Sequence, residues 1–315
     1  MMKGVVIGID TSNYTTSLGI ISEDGTLLAN LKRMLTVKEG ERGLRQSDAV
    51  FAHTKNIPIL MDEAGEFLKN KRILAIGVSV RPRNQDGSYM PCFLAGLSAA
   101  KSMAVALNVP LYEFSHQCGH IMAALYSSGR TDLSDERFAA FHVSGGTTEM
   151  LMVMPSENGF CAEVVGGTLD LNAGQVIDRI GVALGLKFPC GRKLEALALS
   201  YSGKCEKKKV GAKGGYVNLS GLENIAMRMK EEGKDPSLIA AFLFNTLGRA
   251  IADMSEGYLS DKENMPFVYA GGVMCNSIIR SHIKNRGIDC YFAESEMSKD
   301  NAVGIAALAL KKFKG

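Results

Sequence analysis

The feature that most constrains the fold of this 315-residue chain is an order of predicted elements that occurs twice. Each copy has a Val/Ile-rich strand, a polar or Gly-rich turn, two further strands and then a helix with apolar residues at helical spacing. The elements are predicted at residues 4–9, 17–22, 27–31 and 48–69 in the first copy and at 138–143, 149–154, 163–166 and 172–184 in the second. The duplication predicts two lobes, for which the chain is long enough.

The repeated order is typical of an α/β protein built from two ribonuclease-H-like lobes that face each other over a nucleotide. We expect residues 1–130 to form the first lobe, completed by a C-terminal helix within 298–315. Residues 131–297 are then expected to form the second lobe. A Gly- and Lys-rich stretch at 202–216 is predicted to be an exposed loop.

Composition excludes several other classes of protein. Hydrophobic residues make up 46% and charged residues 22% of the chain, as in soluble globular enzymes. Seven cysteines without a C-x-x-C pair argue against a zinc ribbon or a disulfide framework and suit a reducing compartment. The sequence shows no signal peptide and no long uncharged apolar stretch, so we expect a cytoplasmic protein without membrane association. The net charge of +3 neither requires nor excludes an RNA partner.

The clearest candidate for metal binding is the pair His116 and His120. On a helix these two side chains share one face and can reach one ion. Imidazole nitrogens suit iron or zinc, and a carboxylate from elsewhere in the chain would complete the site. Two histidines at this spacing are also common as packing or surface residues, and that alternative stays open at this point.

Two glycine pairs are candidates for contacts with an anionic ligand. Gly145 and Gly146 separate two predicted strands, so their backbone N–H groups can approach phosphate oxygens. Gly271 and Gly272 follow a strand and precede a helix predicted to begin at Asn276, which places a helix N-terminus beside any anion. A simple hairpin turn and a simple strand-to-helix turn are the alternatives.

Three more charged side chains have more than one interpretation each. Asp300 either caps the last helix, predicted at 301–312, or supplies the carboxylate that the histidine pair lacks. Arg81 and Arg83 are candidates for an anion clamp, because guanidinium groups match phosphate and carboxylate geometry. A solvated loop or a partner-binding surface would explain the two arginines equally well.

Several segments together resemble one family over nearly the whole chain. They are Gly8–Ser12, His116–His120, Val143–Gly146, Gly191 after Pro189, Ser220–Leu222, Gly271–Asn276 and Asp300–Asn301. In this order they resemble the catalytic subunit of tRNA threonylcarbamoyladenosine synthase, the glycoprotease-like family of the actin/Hsp70/sugar-kinase superfamily. The chain looks like a divergent paralogue. The resemblance implies an actin-like ATPase fold with the nucleotide and the metal in the cleft between the lobes.

The resemblance also implies a set of ligands and site residues. One Fe²⁺ or Zn²⁺ per chain is expected on His116, His120 and Asp300, and the second ligand is expected to be ATP or threonylcarbamoyl-adenylate. Contacts with that nucleotide or substrate are predicted for Asp10, Ser12, His142, Val143, Ser144, Gly145, Gly146, Asp178, Gly191, Gly271, Gly272 and Asn276. The expected partners are tRNA, a smaller protein of the same superfamily and an ATPase subunit.

This sequence departs from the family pattern at turns that are expected near the ligand. Arg81–Met90 stands where the family has Gly-Pro-Gly-Leu, and Asp170-Leu171-Asn172 replaces two adjacent aspartates. Glu223 follows Ser220-Gly221-Leu222, where the family has lysine, so a cation is replaced by an anion. The acceptor of the transferred group is therefore left open by the sequence.

Three functions follow as hypotheses. The first is a transferase that moves a threonylcarbamoyl group from its adenylate to adenosine in tRNA, and the second is a non-catalytic or altered-substrate nucleotide-binding scaffold. The third, a metalloprotease, is disfavoured because Gln117 stands where the His-Glu-x-x-His zinc proteases have their glutamate base.

Overall fold

The computed structural model describes residues 3–12, 14–36, 44–205, 210, 215–259 and 265–315. These residues form two compact units. Unit 1 contains the chain up to Ser134, together with Pro155–Cys161 and Glu296–Gly315, and unit 2 contains Asp135–Met154 and Ala162–Ser295. The lysines at 207–209 lie outside the described residues.

Unit 1 is built on a mixed five-stranded sheet. Its strands are β1 (Lys3–Ser12), β2 (Thr15–Ser22), β3 (Leu27–Met34), β4 (Lys71–Arg81) and β5 (Leu111–Ser115), in the order β3-β2-β1-β4-β5. The first three strands are antiparallel, and β4 and β5 continue the sheet in parallel from β1. Its helices are α1 (Gln46–Leu68), α2 (Phe93–Leu107), α3 (His116–Ser127) and α9 (Val303–Lys314).

Both faces of this sheet are covered, which is why β1 is buried along almost its whole length. Ile7 and Ile9 belong to a core shared with Leu60 of α1 and Ala100 of α2. The alternate residue Gly8 points to the other face, where a Cβ would lie 2.4 Å from the carbonyl oxygen of Ala302. Helix α9 therefore approaches the sheet as closely as backbone atoms permit.

Unit 2 contains a six-stranded sheet. Its strands are β6 (Phe138–Val143), β7 (Thr148–Ser156), β8 (Gly159–Thr168), β9 (Tyr216–Val217), β10 (Phe267–Ala270) and β11 (Cys290–Phe292), in the order β11-β10-β6-β7-β8-β9. Its helices are α4 (Ala173–Ala183), α5 (Gly191–Leu199), α6 (Ser220–Glu231), α7 (Pro236–Leu259) and α8 (Ser277–Lys284). The duplicated order of strands predicted from the sequence is present, and α6 is a helix that the sequence interpretation missed.

The core of unit 2 lies between its sheet and the long helix α7. Phe141 and Tyr269 stack with ring centroids 5.6 Å apart, and the Tyr269 hydroxyl is 2.7 Å from Ser255 of α7. Within the described residues, α7 is the one helix long and apolar enough to cross a membrane, and 72% of its most apolar window is buried inside the protein. Such burial is typical of a core helix. All seven cysteines are free thiols.

Candidate metal and nucleotide sites

The histidine pair lies at the start of α3, directly after β5 ends. Ser115 caps the helix, because its hydroxyl accepts a hydrogen bond from the Cys118 N–H at 3.2 Å. His116 and His120 therefore sit one turn apart on the same face, as the spacing predicts, with their Nε2 atoms 3.0 Å apart. Two ring nitrogens at this distance can bind the same ion.

Asp300 lies against this pair. Its Oδ1 is 3.2 Å from His120 Nε2 and 3.7 Å from His116 Nε2, and candidate ligand atoms of all three residues lie within 4.8 Å of one another. Ligand atoms about 2.0–2.1 Å from one ion are roughly 3.0–3.4 Å apart in octahedral or tetrahedral geometry. The spacing and the donor types therefore fit a single transition-metal ion.

The alternative in which Asp300 caps the last helix is wrong. The N-cap residue of α9 is Ala302, and the side chain that binds the first N–H of the helix is that of Asn301, whose Oδ1 accepts from the Val303 N–H at 3.0 Å. The Asn301 amide also donates to the carbonyl groups of Met297 and Lys299. Asp300 is consequently left with its carboxylate toward the histidines, and about 29% of its side chain is accessible to solvent.

Asp10, for which a nucleotide contact is predicted, contacts His116 of the histidine pair. Its Oδ1 lies 2.8 Å from His116 Nδ1, and the carboxylate is completely buried. Since an ionised carboxylate only accepts hydrogen bonds, His116 Nδ1 carries the proton and Nε2 faces the cluster. Metal-binding histidines usually donate their other ring N–H to a carboxylate in this way, and nothing in the local sequence indicates the contact.

The electrostatics of the cluster follow from burial and from these contacts. Burial alone would lower the pKa of His116, but the negative charge of Asp10 and its hydrogen bond raise that pKa to about 9. Burial would raise the pKa of Asp300, yet its hydrogen bond with His120 and the charges of both histidines lower it. Ser12 donates a further hydrogen bond to Asp300 Oδ2 at 3.3 Å. The carboxylate is therefore held ionised, as a metal ligand must be.

The loop that carries Arg81 and Arg83 is packed against α3. Arg81 Nε donates to Asn84 Oδ1 at 3.3 Å, and the Asn84 amide donates to the carbonyl of Phe160 at 2.9 Å and to the Cys118 sulfur at 3.2 Å. Arg81 is half-buried and Arg83 is exposed. Anion binding by these arginines stays a prediction.

In unit 2, the turn formed by Ser144, Gly145 and Gly146 (the 144–146 turn) joins β6 to β7. The Gly174 N–H, in the first turn of α4, donates to the Ser144 carbonyl at 3.2 Å. A Cβ on Gly174 would lie 2.6 Å from Gly145 Cα and from the Ser144 oxygen. The turn therefore joins the two strands of a hairpin, which is the simpler of its two interpretations. It also lies directly against the N-terminus of α4.

The second glycine pair is constrained by its neighbours. Gly271 has a φ of +102°, and a Cβ there would lie 2.1 Å from the Val143 carbonyl oxygen. Gly272 begins a short 3₁₀ turn that ends at Cys275, and the helix predicted to begin at Asn276 follows as α8. Asn276 caps α8 by accepting from the Ile279 N–H at 3.0 Å.

A cavity of about 710 Å³, here called the α4 cavity, opens in unit 2 and falls in the usual size range of ligand sites. Two of the predicted contact residues line it, Gly145 and Asp178. Its full lining consists of Gly145, Gln175, Asp178, Arg179, Val182, Ala183, Phe188, Glu223 and Met227. Glu223 forms an ion pair with Arg179 at 3.3 Å.

Other predicted contact residues do not line this cavity. His142 and Val143 lie on β6, paired with β7. Gly191 begins α5, next to Cys190, whose N–H donates to Asp178 Oδ1 at 2.8 Å. Neither Asn276 nor the Gly271–Gly272 pair contributes to the lining.

Solved structures with the same fold were found at low sequence identity. HypF from T. kodakarensis matches 99% of this chain and 48% of its own, with a TM-score of 0.61 and 15% identity. Component A of (R)-2-hydroxyglutaryl-CoA dehydratase from Acidaminococcus fermentans matches 99% of both chains with a TM-score of 0.54 and 14% identity. Both are actin-like ATPase folds, so the α/β fold class expected from the sequence is confirmed.

Sequence comparisons identify the family. The model of TsaD, tRNA N6-adenosine threonylcarbamoyltransferase, matches residues 29–307. The enzyme of that name from Carboxydothermus hydrogenoformans is 31% identical over 99% of this chain and 93% of its own length. Its counterpart from Methanopyrus kandleri is 26% identical over 96% of this chain and 86% of its own. This protein therefore belongs to the TsaD family of tRNA N6-adenosine threonylcarbamoyltransferases.

Proposed function

We propose that this protein transfers a threonylcarbamoyl group from threonylcarbamoyl-adenylate to the N6 amine of adenosine in tRNA. In this reaction the amine nitrogen forms a bond to the carbamoyl carbon, the bond from that carbon to the phosphate oxygen breaks, and AMP leaves with one proton released. The observation that carries the proposal is the convergence of His116, His120 and Asp300 in a chain of this family.

We assign one Fe²⁺ or Zn²⁺ to these three side chains. When bound, such an ion supplies Lewis-acid polarisation of an acyl oxygen and helps to orient the donor. Two imidazoles and one carboxylate leave coordination positions open, and the three side chains are each between 21% and 29% accessible. A ligand from solution can therefore reach them.

The chain's own residues prepare this site before any ligand arrives. Asp10 accepts a hydrogen bond from His116 Nδ1 and so holds the ring with Nε2 toward the cluster, where an ion would replace the Nε2 proton. Ser12 donates to Asp300 Oδ2, which leaves Oδ1 for the cluster. Positioning of this kind lowers the entropy cost of bringing the reacting groups together.

The α4 cavity in unit 2 is our candidate for binding the nucleotide part of the donor. Gly145 belongs to the 144–146 turn, which lies against the N-terminus of α4, and helix N-termini favour phosphate groups. The ATP-derived ligand, the cytoplasmic location and the participation of a smaller superfamily member and an ATPase subunit are further parts of the proposal. They rest on the family alone.

A transfer assay tests the function. The full chain would be incubated with threonylcarbamoyl-adenylate and tRNA under anaerobic conditions, and the modified nucleoside would be measured by mass spectrometry. We expect His120→Ala to abolish transfer and His282→Gln, on α8, to preserve it. Equal transfer by His120→Ala and the unsubstituted protein would contradict the role given to the cluster.

A further inference from the structure

The edge strand β3 of unit 1 carries a lysine on a covered face of the sheet. Lys32 pairs with Ser17 of β2, and Ser17 pairs with Asp10 of β1. Residues paired in this way on neighbouring strands lie on the same face. Asp10 comes two residues after Gly8, which faces α9, so this row of three residues lies on the α9 side of the sheet. Lys32 is half-buried there, in a position where a lysine needs a polar partner.

The partner of Lys32 belongs to residues 296–300 (the 296–300 segment), which end at the carboxylate that faces the histidine pair. The Lys32 ammonium donates a hydrogen bond to the Glu296 carbonyl, with 2.9 Å between Nζ and the oxygen. Two positions earlier on β3, the Asn30 amide donates to the Met297 sulfur at 3.9 Å, and Met297 is buried. Two side chains of the edge strand therefore bind two consecutive residues of the segment.

Other hydrogen bonds determine the shape of the 296–300 segment without fixing its distance from the sheet. The Asn301 amide donates to the carbonyl groups of Met297 and Lys299, which closes the turn on itself. The Lys299 ammonium pairs with the Glu296 carboxylate at 3.0 Å, and both side chains are exposed. Contacts inside the segment cannot hold it against the sheet, so its place depends on side chains that the sheet provides.

The charge of Lys32 has two opposite effects on an ion at the metal site. Burial lowers the pKa of the Lys32 ammonium, and the carboxylates of Glu296 and Asp300 raise it, so the ammonium lies within electrostatic reach of Asp300. A cation there favours the ionised carboxylate but repels a metal ion. Because these two effects oppose each other, we expect the hydrogen bond of Lys32, and not its charge, to support metal binding.

We propose that Lys32 is a positioning residue for the metal site, because it fixes the 296–300 segment to β3 and so holds Asp300 within reach of the histidine pair. The inference rests on the proposed assignment of one metal ion to the histidine pair and Asp300. Ser12 orients the Asp300 carboxylate, whereas Lys32 fixes the backbone from which that carboxylate extends. Without Lys32, we expect the histidine pair to bind an ion while the carboxylate is displaced from it.

Binding of Co²⁺ to the full chain, after treatment with a chelator, tests the inference. The visible spectrum of Co²⁺ depends on the number and type of its ligands, so it reports whether the carboxylate is bound. We expect the spectrum of Lys32→Met to resemble that of Asp300→Asn, with an affinity about tenfold lower than that of the unsubstituted protein. Lys32→Arg keeps a donor for the Glu296 carbonyl and should restore both properties. The control Lys299→Met removes an equal charge beside Asp300 and should change neither.

A double substitution separates positioning from a general loss of structure. If Lys32 acts through Asp300, Lys32→Met should cause no further loss of Co²⁺ affinity in the Asp300→Asn protein. The same loss in both backgrounds overturns the inference, and so does a Lys32→Met protein with an unchanged spectrum; either result leaves the metal assignment intact. If Lys32→Met does not fold, Lys32→Gln, whose side chain is one bond shorter, takes its place in both comparisons. If Co²⁺ does not bind the unsubstituted protein, the inference falls together with the proposed metal assignment.

Discussion

At the scale of single residues, the contact between Asp10 and His116 shows how a buried charge prepares a ligand. Burial of Asp10 would raise the pKa of its carboxyl, but the charge of His116 and the hydrogen bond between the two outweigh that effect and lower it. An ionised carboxylate in a dry environment needs a partner, and His116 Nδ1 is that partner at 2.8 Å. The same contact fixes which ring nitrogen is free for an ion.

We expect Asp10→Asn to weaken metal binding by about 10- to 100-fold without removing any of the three ligands. The amide has nearly the same shape but no longer favours the required tautomer of His116. Competition with a chelator would measure the affinity, with the exposed Asp62→Asn on α1 as the control. Equal affinities in both variants would show that Asp10 does not support the ligand.

Asp170 provides a test of stability against pH. Burial would raise the pKa of its carboxyl, but hydrogen bonds from Ser220, Leu219 and Leu171 lower it to about 2 from an ordinary value of 3.8. Since the pKa of Asp170 is lower in the folded than in the unfolded protein, the ionised carboxylate stabilises the fold. This stabilisation is complete above about pH 4. It is lost as the pH falls toward 2.

Urea unfolding at pH 5 and pH 3 would measure this loss. We expect the free energy of unfolding to decrease less between these values in Asp170→Asn than in the unsubstituted protein. Asp86→Asn, at an exposed loop position, serves as the control and should keep the full decrease. The same decrease in the free energy of unfolding in all three proteins would show that Asp170 does not contribute to the pH dependence of stability.

At the scale of elements, the contact between α4 and the 144–146 turn places a helix N-terminus beside two glycines. Sequence patterns predict both elements, because the strand before the turn and the helix after Asn172 have clear apolar periodicity. Their contact could not be predicted, since it depends on Gly174 approaching a turn nearly thirty residues earlier. For the same reason the sequence could not decide between the two roles of Asp300, metal ligand or helix cap; in the structure Asn301 accepts the hydrogen bond from the first N–H of α9.

Gly174→Ala should push the start of α4 away from this turn. The added Cβ would meet backbone atoms at 2.6 Å, and backbone cannot move aside as a flexible side chain can. We expect a weaker affinity for ATP by calorimetry. Gly221→Ala, in the first turn of α6 with open space around it, should bind ATP as the unsubstituted protein does. Similar affinities in both variants would mean that the close approach is irrelevant to the ligand.

At the scale of the whole molecule, the end of the chain completes the unit that its beginning forms. Helix α9 packs on the sheet through Gly8, Gly19 and Gly77, where any Cβ would lie within 3 Å of the helix. The segment that leads into α9 carries Asp300 to the histidines of α3. The duplicated strand order made the fold class predictable, whereas the domain boundaries drawn from the sequence stay a prediction. Helix α6 was missed because its first residues read as a family motif and not as a helix start.

Gly8→Ala should therefore disturb stability and the metal site together. The new methyl group would meet backbone atoms of α9 at 2.4 and 2.5 Å, and overpacking of this kind costs about 1–3 kcal/mol of unfolding free energy. Chemical denaturation and metal content would be measured on the same sample. Gly65→Ala, in an open position on α1, should leave metal content unchanged. A stable Gly8→Ala protein with full metal would contradict this packing argument.

Metal content after anaerobic purification tests the central claim most directly. It would be measured by elemental analysis on the unsubstituted protein, on Asp300→Asn and on His282→Gln, which changes a histidine outside the cluster. The account predicts one Fe²⁺ or Zn²⁺ per chain in the unsubstituted protein and in His282→Gln, and a large loss in Asp300→Asn. The same metal content in all three proteins, or none in any of them, would contradict it.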